Sequence, residues 1–94
     1  MFKPLDPILH SELRLAVMSL LLGIAEADVV DIKEQTGATA GNLSVQIDKL
    51  ANAGYIEVEK KFEGKRPCTT CRITQKGVEA FDNYVETLKE YVNI

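Results

Sequence analysis

Cys68 and Cys71 form a C-x-x-C, the spacing of a zinc knuckle or a redox pair. Zinc would need about two more donors, and the chain's single histidine, His10, is far away in sequence. Residues three apart in a regular strand point to opposite faces, so chelation or a disulfide would require a bent strand. The plainer reading is a pair of structural cysteines. The alternative is a redox-sensitive strand, or a metal site shared between copies of the chain. His10 stands four residues before Arg14 and reads as a capping or interface residue. No Ser/His/Asp or Cys/His spacing and no glycine-rich phosphate loop is present. We therefore expect no enzymatic activity, no catalytic residues, no metal and no cofactor.

A second chemistry is ionic. The net charge is −3, which by itself argues against a polyanionic partner. The distribution argues otherwise. Positions 60–76 hold six basic residues, Lys60, Lys61, Lys65, Arg66, Arg72 and Lys76, against one acidic residue, Glu63, a local +5. The rest of the chain holds five basic and thirteen acidic residues, or −8. A basic patch on an acidic body can attract phosphate while the body limits indiscriminate binding.

A third group lies in TGATAGNLSVQIDKLANAGYI, residues 36–56. Gly37 suits a left-handed helix cap, Thr39 can cap the next helix, and Gly54 ends that helix near Ala53. Leu43, Ile47 and Leu50 recur at i, i+4 and i+7 and face inward. Gly41, Val45, Asp48, Lys49 and Asn52, flanked by Asn42, Ser44 and Gln46, form the outer face. Small and polar groups there suit a helix lying in a DNA groove, and equally an ordinary solvated face.

The elements that would position these groups follow from periodicity. Asp6-Pro7 starts a helix running from about Ile8 to Ala25, with a break near Ser11. Leu9, Leu13, Ala16, Val17, Leu20, Leu21 and Ile24 form one apolar stripe, and Leu15, Met18 and Leu22 a second. Glu26–Asp28 reads as a turn. Asp28 caps a two-turn helix, with Asp31 able to bond back toward the cap and Val29, Ile32 and Thr36 facing inward. Ile56, Val58 and Phe62 alternate with charged residues as a strand, EGKRP turns, and Thr69–Ile73 returns. Thr74 caps a last helix to about Tyr91, with Val78, Phe81, Val85, Leu88 and Val92 on one stripe and Ala80, Tyr84, Thr87 and Tyr91 on another. A short helix, a glycine turn, a second helix and a basic hairpin give the winged-helix order.

LDPILHSELRLAVMSLL at residues 5–22, TGATAGNLSVQIDKL at 36–50 and AGYIEVEKKFEGKRPCTTCRITQKGVEAF at 53–81 together resemble the MarR/ArsR-type winged-helix regulators, above all a compact group of about a hundred residues. The resemblance covers about residues 5–92. Members often carry His where Gln46 stands and an aromatic where Cys71 stands. The resemblance implies a homodimer that binds operator DNA, with the third helix in the major groove and the wing on backbone or minor groove.

The expectations are therefore these. Residues 1–94 form one domain, mainly α with a small β-hairpin, as about four helices and a two-stranded wing. Thr39, Asn42, Ser44, Val45, Gln46 and Lys49 contact DNA from the recognition helix, about 39–53. Lys60, Lys61, Lys65, Arg66 and Arg72 contact it from the wing, about 56–73. Leu15, Met18, Leu22, Tyr84, Thr87 and Tyr91 join two copies, because two doubled apolar stripes in a short chain ask for a second burial partner. The partners are double-stranded DNA and a second copy; no small-molecule effector is legible. No apolar run approaches the ~20 residues that span a bilayer, and MFKPLDP lacks a secretory pattern, so the expected location is the cytoplasm. The competing reading is a winged-helix protein-interaction module without DNA affinity.

Overall fold

The computed structural model describes residues 2–92. Its first ordered feature is the turn that Asp6 nucleates. The Asp6 carboxylate accepts from the Ile8 amide at 2.8 Å and its carbonyl from His10 at 2.9 Å. The helix expected from about Ile8 begins only after the break near Ser11: residues 7–9 form a turn, and Ser11 is the N-cap of α1, Glu12–Ile24. His10 therefore precedes the helix, and its Nδ1 pairs with the Tyr84 hydroxyl at 3.0 Å. Helix α2, Val29–Thr36, ends on Gly37 at φ 71°, and α3, Ala40–Asn52, follows three residues later. Leu9, Val17, Met18, Leu21, Ile32, Leu43, Ile47 and Leu50 make the apolar centre shared by α1, α2, α3 and the turn before them.

The sheet has three strands where two were expected. Glu26–Asp28, read as a turn, is strand β1. It pairs antiparallel with β3, Arg66–Ile73, whose other edge pairs with β2, Ile56–Glu63, in the order β1-β3-β2. Three residues are too few to show period-2 patterning. The chain enters β1 through Ala25 at φ 68°, a conformation that alanine seldom signals in sequence. Asp28 is the residue before α2, yet its side chain makes no cap bond. Its Oδ1 instead accepts from the Cys68 thiol at 2.8 Å and the Thr70 hydroxyl at 3.3 Å, tying β1 to β3. The hairpin turn is only Gly64-Lys65, with Gly64 at φ 65°, so Arg66 and Pro67 lie inside β3 rather than in the turn.

The hairpin also reaches past the core. Of the apolar face of β2, Ile56 is buried, Val58 is exposed and Phe62 is 71% exposed. Helix α4, Gln75–Val92, then packs back along α1 through Tyr84 and Leu88.

One joint fixes how α3, the hairpin and α4 meet. The Gly54 amide donates to Ala51 O and the Tyr55 amide to Leu50 O, the paired bonds of a Schellman motif, with Gly54 at φ 81°. Thr74 spans the gap to α4. Its amide donates to Tyr55 O, and its hydroxyl donates to Gly54 O at 2.7 Å and accepts from the Gly77 amide at 3.0 Å. Gly77 is buried, and a Cβ there would sit 2.1 Å from Tyr55 O.

The two cysteines point to opposite faces of β3. Cys71 is fully buried in the core, and burial pushes its thiol up to about 11. Cys68 is half-buried on the other face. Its hydrogen bond to the Asp28 carboxylate, aided by burial and by that carboxylate's charge, raises its pKa as well. No group of three metal-ligating side chains occurs among the described residues.

Two outcomes follow. Gly77→Ala forces a methyl group against a backbone carbonyl that cannot swing away, so urea unfolding should show a loss of about 1–3 kcal/mol despite alanine's better helix propensity. Near pH 8, the raised pKa values keep both thiols protonated. A disulfide thiol reagent should label the native protein far more slowly than the urea-unfolded one. Equal rates would mean that the Asp28–Cys68 bond and the burial of Cys71 do not hold in solution.

Candidate nucleic-acid interface

Helix α3 is presented by its inner face. Leu43, Ile47 and Leu50 are buried at spacings of four and three, and their anchoring leaves the opposite side to solvent. Thr39 holds the first turn by accepting from the Asn42 amide at 3.2 Å. Asn42, Ser44, Val45 and Lys49 are exposed, together with Gly41, Asp48 and Asn52. Val45 is half exposed with no contribution to the core. Lys49 has no ion-pair partner among the described residues.

Gln46 departs from this group. It is half-buried, its Nε2 donates to Asn42 Oδ1 at 3.0 Å, and its Oε1 accepts from Arg14 Nη1. Its amide is thus engaged on both sides and does not stand free toward a groove. Arg14 also donates to the carbonyls of Ile8 and Pro7, joining the lead-in, α1 and α3. Sequence reasoning did not place Arg14 at the site. The available signal was a lone cation between Leu13 and Leu15, inside the most apolar helix of the chain.

In the hairpin the charges separate along its length. Lys60, Lys61, Lys65 and Arg66, toward the tip, are exposed and lie within ion-pair distance of no acid among the described residues. Arg72, expected with them, is otherwise occupied. It pairs with Glu59 of β2 at 2.6 Å and Glu26 of β1 at 3.6 Å, bracing all three strands across one face. The Arg72 hydrogen bond holds the Glu59 carboxyl below its usual range, and Glu59 in turn raises the Arg72 guanidinium. Lys76 lies over the Tyr55 ring, 5.8 Å from its centroid. So the base of the hairpin is neutralised internally and the tip is left cationic.

The residues expected between copies divide in two. Met18 and Tyr84 are buried inside this chain, Met18 in the core and Tyr84 against His10. A helical stripe does not distinguish the partner that covers it, and here the lead-in and the body cover them. Leu15 and Thr87 are half-buried. Leu22 and Tyr91 remain exposed, Tyr91 with its ring stacked on Phe2. Ile24 and Val92, not singled out from sequence for an interface, are also more than half exposed.

Comparison with known proteins places this arrangement. Residues 13–92 match the winged helix DNA-binding domain family. An uncharacterized protein of Methanocaldococcus jannaschii is 35% identical over 78 residues, covering 83% of this chain and 85% of that protein. A transcriptional regulator homologue from Pyrococcus horikoshii OT3 superposes with a TM-score of 0.84 at 30% identity, over 92% of this chain and 85% of the other. A MarR mutant from E. coli, solved in complex with operator DNA, superposes with a TM-score of 0.75 at 17% identity, over 93% and 61% of the two chains. That last likeness is one of fold. With an exposed polar helix face, a cationic hairpin tip and the element order of this family, the chain belongs to the winged helix DNA-binding domain family.

Proposed function

We propose that this protein is a sequence-specific DNA-binding transcriptional regulator that acts as a homodimer. Helix α3 enters the major groove, and the hairpin β2–β3 lies on the backbone or minor groove. The observation that carries the reading is the separation of charge in the hairpin. Lys60, Lys61, Lys65 and Arg66 project beyond the core with Glu63 as the one acid among them and none within ion-pair distance among the described residues, while Arg72 is paired at the base. A hairpin built only for solubility has no need to sort its charges in this way. A hairpin that meets phosphate does. A MarR mutant of like fold was solved in complex with operator DNA, which supports duplex DNA as the partner.

On this reading Thr39 orders the first turn of α3, and Asn42, Ser44, Val45 and Lys49 face the bases or the adjoining phosphates. Lys60, Lys61, Lys65 and Arg66 supply affinity. Dimerisation falls to α1 and α4, with Leu15, Leu22, Thr87 and Tyr91 remaining of the expected set and Ile24 and Val92 joining them. Two copies read two half-sites, which multiplies selectivity beyond what one helix provides.

The test is sedimentation of the full chain with a fluorescent duplex at several salt concentrations. The expected result is two chains per duplex and an affinity that falls steeply with salt. Each neutralised phosphate contributes about 0.9 to the logarithmic slope, so Lys65→Ala should lower the slope by roughly 1 and weaken every sequence alike. An affinity insensitive to salt, or a slope that Lys65→Ala and Arg66→Ala leave unchanged, would favour a protein-interaction module.

A further inference from the structure

Arg14 is half-buried, has no carboxylate partner among the described residues, and reaches three oxygens: Ile8 O, Pro7 O and Gln46 Oε1. A guanidinium can only donate hydrogen bonds. The oxygen of the Gln46 amide must therefore face Arg14, and its NH2 group must face away. That NH2 group meets the Asn42 side chain at 3.0 Å, so Asn42 must turn its own oxygen toward Gln46. What Asn42 has left, at an exposed position in the first turn of α3, is its NH2 group. The direction of every bond follows from the first member.

We infer that Arg14 is a positioning residue that sets the polarity of the base-reading surface. Acting through Gln46, it holds Asn42 as a hydrogen-bond donor toward DNA. Asn42 then selects an acceptor edge in the major groove, such as guanine O6 or N7 or thymine O4, over the exocyclic amine of cytosine. An unconstrained asparagine rotates its amide to suit either kind of edge. Here rotation would set two NH2 groups against each other and lose the bond from Gln46. The inference rests on the reading of α3 as the helix that meets DNA, and it adds which hydrogen-bond sense that helix presents and which residue outside it decides this.

The experiment has two arms. In the free protein, labelled with nitrogen-15, the Gln46 side-chain NH2 protons should show a cross-peak to Asn42 that disappears in Arg14→Met while the backbone spectrum stays folded. On DNA, the base preference is measured at the operator position where Asn42→Ala acts. Arg14→Met and Gln46→Met should each reduce the preference for acceptor edges there, on the order of three- to tenfold, the worth of one hydrogen bond. The salt slope should not change. Arg14→Lys should retain the preference, because an ammonium also only donates. Gln46→Met serves as the second variant because it breaks the relay but spares Arg14's bonds to Ile8 and Pro7. Wild-type preference in both methionine variants would overturn the inference. So would an equal loss on all sequences with a lowered salt slope in Arg14→Met, since Arg14 would then be touching phosphate. A missing cross-peak overturns the relay itself, whether or not the protein binds DNA. An intact cross-peak in a protein that binds no duplex at low salt overturns the functional reading, and the recognition role of the relay with it.

Discussion

The contact between the first turn of α4 and the turn that ends α3 governs the geometry of everything exposed. Thr74 bonds to Gly54, Tyr55 and Gly77 at once, and Gly77 brings its bare Cα against the Tyr55 carbonyl. That carbonyl lies between the helix that would read DNA and the first strand of the hairpin. A two-element reader needs a fixed angle between its elements, because a groove and the neighbouring backbone are a rigid pair of targets. Backbone-to-backbone contact provides this better than side-chain packing, which can repack around a change. Tyr55 draws in the lead-in as well. Its hydroxyl donates to Asp6, the residue that nucleates the turn before α1, and burial with that carboxylate's hydrogen bond and charge pushes the phenol up to about 12.

With the joint fixed, the hairpin can extend past the core at little cost to the fold. Its base is held by Arg72 bridging Glu59 and Glu26 and by Asp28 accepting from Cys68 and Thr70. Exposed ion pairs are worth little individually, so the bracing rests on the three-stranded ladder, with the ion pairs setting where charge is spent. What lies beyond the brace, from Lys60 to Arg66, holds four cations against the single acid Glu63 and stays net positive. The acidic body and the cationic tip are thus two regions of one chain, and net charge describes neither of them. The helix surface shows the same economy. Gln46 and Arg14 serve orientation, and the outer residues are left open.

Much of this was legible in the sequence because it rests on local rules. The break near Ser11, the caps at Thr39 and Thr74, the glycines at 37 and 54, and the i, i+4, i+7 spacing of Leu43, Ile47 and Leu50 each act within one or two turns. The hairpin was legible from alternation and from Gly64. What escaped depends on distant partners. Strand β1 is three residues long and exists because β3 has an open edge. Asp28 looks like a cap and instead serves the sheet. Arg72 counts as a cation in a tally of charge and is cancelled by Glu59 and Glu26 only once the strands pair. Met18 sits on a plausible outer stripe of α1, and its burial is set by how the rest of the chain docks on that helix. Gln46 has a base-reading residue type, but a guanidinium thirty-two residues earlier consumes its acceptor.

The central claim is that two copies of this chain read duplex DNA by sequence through α3. Selection of bound duplexes from a random pool tests it most directly. The account predicts an enriched sequence with two-fold symmetry, its half-sites centred about 10 base pairs or a multiple of that apart, as two recognition helices on one face of the duplex require. A pool that emerges as random as it entered, at salt concentrations where the protein is folded, would contradict it.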